Sequence, residues 1–317
     1  MTETRAVTAV AKITFDQDAR FSHARRKPFS NFGLRISFGF RISDFGFICA
    51  LVVLLFAASA TATPAHYPVR IGLLSDLHLN RGTNQVKFQN HLDQVIEAAN
   101  AAGVDLVLVA GDLTEDGTPR EYEEFRRQIK RFSAPVWYVP GNHDVGNKPL
   151  PKAKAPVYAV RVARYELKLG PSWFVREHAG VRVVGINSML LGSDLARERQ
   201  QWRLLTEALA KPAAQPTILL THLPPFIRDS REPGGEYWDI EPAPRLRLLS
   251  LLQLGGVSNV LSGHLHHALT NCHDGVFFYT TPPVSFGLPA GKQLPGWTLV
   301  TVPQRGSAQV EFQPIKD

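Results

Sequence analysis

The sequence predicts an α/β fold, on three observations. Runs of β-formers at residues 69–74, 105–110 and 136–139 alternate with segments whose apolar residues recur at helical spacing, the pattern of strands joined by helical crossovers. Each of these strands, and two later ones, ends in polar side chains able to bind a metal. From residue 67 onward no linker or repeat divides the chain, so one domain is expected over residues 63–317.

The segments before that domain read differently. Residues 1–44 form a low-complexity leader in which Asn31-Phe32-Gly33-Leu34-Arg35-Ile36-Ser37 is echoed by Phe38-Gly39-Phe40-Arg41-Ile42-Ser43-Asp44. An over-extended reading frame is the alternative. Residues 45–62 have the layout of a signal peptide, with an apolar core at 47–58, Arg35 and Arg41 upstream, and the small-x-small pattern Ala60-Thr61-Ala62. Export, periplasmic or secreted, with cleavage near Ala62 is therefore expected. The competing reading is a membrane anchor over residues 45–65, nearly long enough for a hydrocarbon core of ~30 Å.

Within the domain the elements follow in order. Strand 69–74 leads to Ser75-Asp76-Leu77-His78. Phe88, Leu92, Val95, Ile96 and Ala99 mark a helix that Gly103 closes, with His91 on its surface. Strand 105–110 ends in Gly111-Asp112-Leu113-Thr114. Thr118 as N-cap and Pro119 at the first position start the next helix, whose apolar face is Tyr122, Phe125, Ile129 and Phe132. Strand 136–139 runs into Pro140-Gly141-Asn142-His143-Asp144. A basic, Pro-rich loop at 147–156 precedes a helix through Val160, Tyr165 and Leu167. Ala179-Gly180 joins two strands as a hairpin, and a helix runs near 195–209. Strand 217–220 ends in His222. A long loop at 226–238 and a helix from about Pro244 precede strand 257–261, which ends in Gly263-His264-Leu265-His266. Runs at 277–279, 297–302 and 309–312 read as closing antiparallel strands, with Asp274-Gly275 as a hairpin turn.

Composition excludes several classes. The formal net charge of +7 is concentrated in residues 1–62, which hold eight Lys or Arg against four Asp or Glu. The other 255 residues carry 27 against 24, an excess too mild to indicate nucleic acid. Two cysteines, Cys49 and Cys272, allow neither a disulfide framework nor a cysteine-ligated structural zinc.

In open α/β sheets ligands bind beyond the carboxyl ends of the strands. Five strand ends would gather Asp76, His78, Asp112, Asn142, His222, His264 and His266 there. Imidazole and carboxylate without thiolate suit Zn, Mn, Fe, Co or Ni, and are too nitrogen-rich for Ca or Mg alone. Seven donors exceed one tetrahedral site and fit two metals ~3.5–4 Å apart that share a carboxylate.

Asp76-Leu77-His78, Gly111-Asp112, Gly141-Asn142-His143-Asp144, His222 and Gly263-His264-Leu265-His266 together resemble the five blocks of the calcineurin-like metallophosphoesterase superfamily, over residues 69–302. Gly111 to Gly117 with Tyr122 and Phe125 resembles its class III cyclic-nucleotide phosphodiesterases. The stretch 141–147 with Asn187-Ser188, Gln201-Trp202 and Tyr237-Trp238 resembles the group that includes a cytosolic Ser/Thr phosphatase. The resemblance implies a four-layer α/β/β/α sandwich. It implies that Asp76, His78 and His266 hold one metal, and that Asn142, His222 and His264 hold the other, with Asp112 bridging. His143 would meet the phosphate and its leaving group, with Asp144 as its support. The expected activity is hydrolysis of a small phosphorylated substrate, monoester or diester, by a metal-bridging hydroxide at two Mn, Fe or Zn ions. A cyclic-nucleotide phosphodiesterase is its narrower form. A non-catalytic phosphate-binding protein and a hydrolase of another ester are the competing readings.

Three further groups carry weaker expectations. His267 lines the pocket or packs beside it. Tyr237 and Trp238 wall the substrate pocket or plug the loop locally. Arg228 and Arg231 meet an anion or lie solvated.

Overall fold

The computed structural model describes residues 65–80, 82–150 and 154–316. The expected leader, signal peptide and cleavage site lie outside them. Among the described residues no helix is long and apolar enough to cross a membrane.

Three parallel strands, β1 (Val69–Leu74), β2 (Leu106–Ala110) and β3 (Val136–Val139), are joined by α1 (Gln85–Ala102) and α2 (Pro119–Ile129). Both helices start and stop as their sequences dictate. Gly103 closes α1 in the left-handed conformation. Thr118 accepts from the Glu121 N–H while the Glu121 carboxylate accepts from the Thr118 N–H, a reciprocal capping box at the head of α2. A one-turn helix, α3 (Asn142–Val145), follows β3 and occupies what the sequence presents as a loop. Then come α4 (Ala159–Leu169), the hairpin β4 (Phe174–His178) and β5 (Val181–Gly185), α5 (Ala196–Ala208), β6 (Thr217–Leu220), α6 (Pro242–Leu254), β7 (Val257–Ser262), the hairpin β8 (Leu269–His273) and β9 (Val276–Thr280), and finally β10 (Gly296–Val302) and β11 (Gln309–Pro314).

The strands form two sheets. One has five strands in the order β11-β10-β1-β2-β3, and the other six in the order β4-β5-β6-β7-β9-β8. Alternate residues of the first sheet face opposite ways. Ile71, Leu73, Leu106 and Leu108 pack with Val181, Val183, Ile218 and Leu220 of the second sheet. Val107 and Val109 lie instead in the helix-side core with Leu92, Val95 and Phe125, and Val184, Leu219 and Val260 share that core with Trp202, Leu205, Leu248 and Leu252. Helices therefore cover both outer faces, giving the α/β/β/α order of layers.

Three expectations change. β9 is parallel to β7 and antiparallel only to β8, so the closing strands are not uniformly antiparallel. On α4, Val160 and Leu167 are exposed while Val162 and Tyr165 are buried, because the helix turns its Val162 face inward. His91 is buried, with Nδ1 donating to the carbonyls of Val284 and Ser285.

Candidate metal centre

The parallel strands of both sheets bring their carboxyl ends to one place. β1, β2 and β3 deliver Asp76 and His78, Asp112, and Asn142 and His143. β6 and β7 deliver His222, and His264 and His266. Asp76, His78, Asp112, His264 and His266 all have φ between +46° and +72°. Such left-handed conformations cost on the order of 1–3 kcal/mol each and persist where the surroundings enforce them. Here the strand geometry turns each side chain inward. Two glycines admit the ligands. A Cβ on Gly141 would sit 2.1 Å from Asp112 Oδ1, and one on Gly263 would sit 1.7 Å from Ser75 Oγ and 2.9 Å from Asp76 Oδ2.

Four imidazoles are held by their outer nitrogens. His78 Nδ1–H donates to Glu115 Oε2 at 2.7 Å, His222 Nδ1–H to the Ala110 carbonyl at 2.7 Å, His266 Nδ1–H to the Phe286 carbonyl at 2.6 Å, and His264 Nε2–H to the Tyr237 carbonyl at 3.3 Å. These partners fix the outer nitrogens as donors and turn the inner nitrogens toward the site. The inner nitrogens face one another, with His78 Nε2 3.3 Å from His266 Nε2 and His222 Nε2 3.2 Å from His264 Nδ1. Lone pairs this close repel unless a proton or a metal ion lies between them.

Asp76 Oδ1 joins the first cluster, buried, 3.3 Å from His266 Nε2 and without a well-formed hydrogen bond. Asn142 Oδ1 joins the second, 3.1 Å from His222 Nε2, while its amide donates to the Tyr237 hydroxyl. Asp112 Oδ2 lies between the clusters, 3.4 Å from His222 Nε2 and 3.7 Å from His78 Nε2. This donor set fits two transition-metal ions with Asp112 shared, and the convergence of inward-facing nitrogens and carboxylate oxygens is what such ions require.

Each cluster has one imidazole pushed up in pKa and one pushed down. Burial lowers His264 to about 3, aided by the charge on His222. Burial also opposes charge on His222, but Asp112 overrides it and holds the group at about 9. In the other cluster burial lowers His78, while Asp76 overcomes burial and raises His266. Burial would raise Asp76 and Asp112, yet the neighbouring histidines hold both below the usual carboxylate range.

His143 also brings a ring nitrogen within 4.8 Å of ligand atoms of His78 and Asp112, but it is the least buried of these histidines. Its side chain is 32% exposed where those of His78, His222 and His266 are nearly buried. Its backbone N–H donates to Asp112 Oδ1, its Nδ1–H donates to the Glu115 carbonyl at 2.8 Å, and its ring meets His78 edge-on at 4.5 Å. Burial lowers its pKa, but Asp112 and Glu115 outweigh that and raise it overall.

The support expected of Asp144 falls to Glu115. The Asp144 carboxylate is taken up by the N–H groups of Leu113, Thr114 and Gly141 and the Thr114 hydroxyl, so it pins the Asp112 loop to the Asn142 turn. Burial and the Asp112 charge push its pKa up to about 7, against four donors that favour the ionised form. Glu115 stands three residues beyond Asp112, but a carboxylate in a loop gives no sign of which imidazole it will meet. Tyr237 is brought to Asn142 and His264, Trp238 and His267 line a neighbouring hollow, and Arg228 lines another.

Residues 69–268 match the sequence pattern of the calcineurin-like phosphoesterases, well over half of the chain. The chain belongs to this family. Over 184 residues it is 30% identical to a probable glycerophosphodiester phosphodiesterase, GpdQ, of Arcobacter nitrofigilis, covering 56% of this chain and 62% of the relative. It is 27% identical to the serine/threonine-protein phosphatase CPPED1 of Danio rerio over 53% of each chain. It is 24% identical to the 3',5'-cyclic adenosine monophosphate phosphodiesterase CpdA of Haemophilus influenzae, covering 73% of this chain and 82% of the relative. The match thus spans less than two thirds of the first two relatives. The fold resembles a dimetal phosphatase from Danio rerio with a TM-score of 0.51 at 13% identity, over 77% of this chain and 99% of that one. It also resembles a purple acid phosphatase from yellow lupin, with a TM-score of 0.55 at 16% identity, over 79% of this chain and 52% of that one.

Proposed function

We propose that this calcineurin-like phosphoesterase hydrolyses a phosphate monoester or diester at a dinuclear metal centre, with Mn, Fe or Zn as the matching ions. The observation that carries the reading is Asp112, whose one carboxylate oxygen lies between two clusters of inward-facing imidazole nitrogens. Asp76, His78 and His266 would hold one ion, Asn142, His222 and His264 the other, and Asp112 both. When bound, such a pair supplies Lewis acidity that lowers the pKa of water and neutralises phosphoryl charge.

The chain's own residues supply position and a proton. Asp112 Oδ1 fixes the His143 backbone, which ties the proton donor to the shared ligand. Glu115 takes the His143 Nδ1–H, leaving Nε2–H to face the departing ester oxygen and give it a proton. The raised pKa of His143 favours the protonated ring that this role needs. Tyr237 holds the Asn142 amide so that Oδ1 faces His222.

The test is a screen of the purified protein with Mn²⁺, Zn²⁺ or Fe²⁺ against an aryl monoester, an aryl diester, a cyclic nucleotide, a glycerophosphodiester and a phosphopeptide. The last three classes are those in the names of the relatives. Turnover of at least one ester, lost on chelation and restored by metal, is expected. Failure with every ester and every metal contradicts the reading. We also propose export, on the signal-like residues 45–62, and N-terminal sequencing of exported protein checks cleavage near Ala62.

A further inference from the structure

We propose that the hollow lined by Ile227, Trp238, Leu265, His267, Leu288 and Pro289 receives the organic part of the substrate, and that this part carries an aromatic ring. The inference rests on the phosphoester reading above and narrows its substrate class. The hollow has a volume of about 310 Å³. That is at the small end of ligand pockets, enough for a ring and a short tether.

Its walls are continuous with the metal centre. Leu265 stands between His264 and His266, His267 follows them, and the Leu288 N–H donates to the His266 carbonyl at 2.9 Å. The Trp238 ring lies 5.9 Å from that of His264 and 5.0 Å from that of Tyr237, which bonds Asn142. A group esterified to a phosphate held beside His264 and His266 therefore has this hollow within reach.

The lining chooses the chemistry. Ile227, Leu265, Leu288 and Pro289 offer no side-chain polar group, Trp238 adds a large aromatic ring, and His267 adds an imidazole whose buried Nδ1 has no hydrogen-bond partner among the described residues. Trp238 is 42% exposed, a large aromatic surface presented beside a polar centre. A ring gains by stacking on Trp238 and can also meet His267, whereas a glycerol or ethanolamine group would lose water against the aliphatic walls with little beyond the His267 imidazole to replace it. On its other side Trp238 borders a hollow of about 530 Å³ lined by Arg228, Asp229, Glu232 and Glu236. Glu232 there already accepts from the N–H groups of Ile227 and Arg228, and Asp229 from Arg231. That side repels a second phosphate and completes the loop that carries Trp238.

The experiment is calorimetric titration of the full chain, loaded with Mn²⁺, using non-hydrolysable phosphonates. The probes are 2-phenylethyl-, ethyl- and 2-aminoethylphosphonate, with inorganic phosphate as the reference for the metal centre. The phenylethyl compound is expected to bind about tenfold tighter than the other two phosphonates. Trp238→Ala and Ile227→Ser are each expected to shrink that ratio severalfold while leaving the affinity for inorganic phosphate unchanged. Equal binding of the three phosphonates, or a ratio that survives both substitutions, overturns the aromatic assignment and leaves the phosphoester reading standing. If neither inorganic phosphate nor any phosphonate binds, the phosphoester reading fails and takes this inference with it.

Discussion

Glu115 meets two groups with different duties. Its carboxylate takes the outer N–H of His78, and its backbone carbonyl takes that of His143. Glu115→Ala removes the first, together with the carboxylate charge 3.8 Å from His143 Nδ1, and leaves the carbonyl contact. Loss of such an outer partner lowers metal affinity by about 10–100-fold, so chelator competition should show weakened binding at the His78 cluster. His143→Ala, by contrast, should keep both metals and lose about 10²–10⁴ in kcat, as measured by metal content and rate together. Metal uptake should also depend on pH. His222 stays protonated below about pH 9, and a metal must displace that proton. Apparent affinity should therefore rise about tenfold per pH unit from 7 towards 9 and then level off, as read by chelator competition with proton release. Every candidate ligand was legible in the sequence because each follows a run of β-formers directly. The duties of Glu115, Asp144 and His91 were not, because their partners lie 28 to 194 residues away or sit on backbone atoms that carry no sequence signal.

Among the elements, α2 is the most fully written in the sequence. Thr118, Pro119 and Glu121 specify its start and Tyr122 its anchor, which donates to the Asp144 carbonyl. Thr118→Ala should cost about 1 kcal/mol in denaturant unfolding without changing the metal ligands. The loop before α6 is the opposite case. Its residues show no periodicity, yet it is pinned by a buried network. Arg245, fully buried, donates to the carbonyls of Ile240 and Glu232 and to Asp239 Oδ2, while Lys148 reaches the Asp239 carbonyl and Glu241 Oε1. Removing one partner of a buried charge pair costs about 3–5 kcal/mol, so Arg245→Ala should destabilise the fold and release Tyr237 and Trp238. A drop in denaturation midpoint together with weaker phenylethylphosphonate binding would be the signature. Within the basic loop at 147–156, Lys148 is buried in this network.

At the scale of the molecule, neither sheet holds a complete site. β1 to β3 bring Asp76, His78, Asp112 and Asn142, and β6 and β7 bring His222, His264 and His266. The alternation of strands and helices made the α/β class legible. The division of strands between two sheets came only through the family resemblance and not from the strand pattern itself, since it depends on Leu73 and Leu108 packing with Val183 and Ile218 across the sandwich, which no local pattern encodes. Metal bound across both sheets should hold them together. At a free concentration 100 times Kd it adds about 2.7 kcal/mol, so chelation should lower Tm and metal should restore it. The shared carboxylate is the most exacting point, and metal content measured alongside phosphoester turnover in the native chain and in Asp112→Ala tests it directly. The expected result is two transition-metal ions per native chain with chelator-sensitive turnover, and loss of both in the variant. Retention of two ions and full turnover after Asp112→Ala would contradict a dinuclear centre built on Asp112.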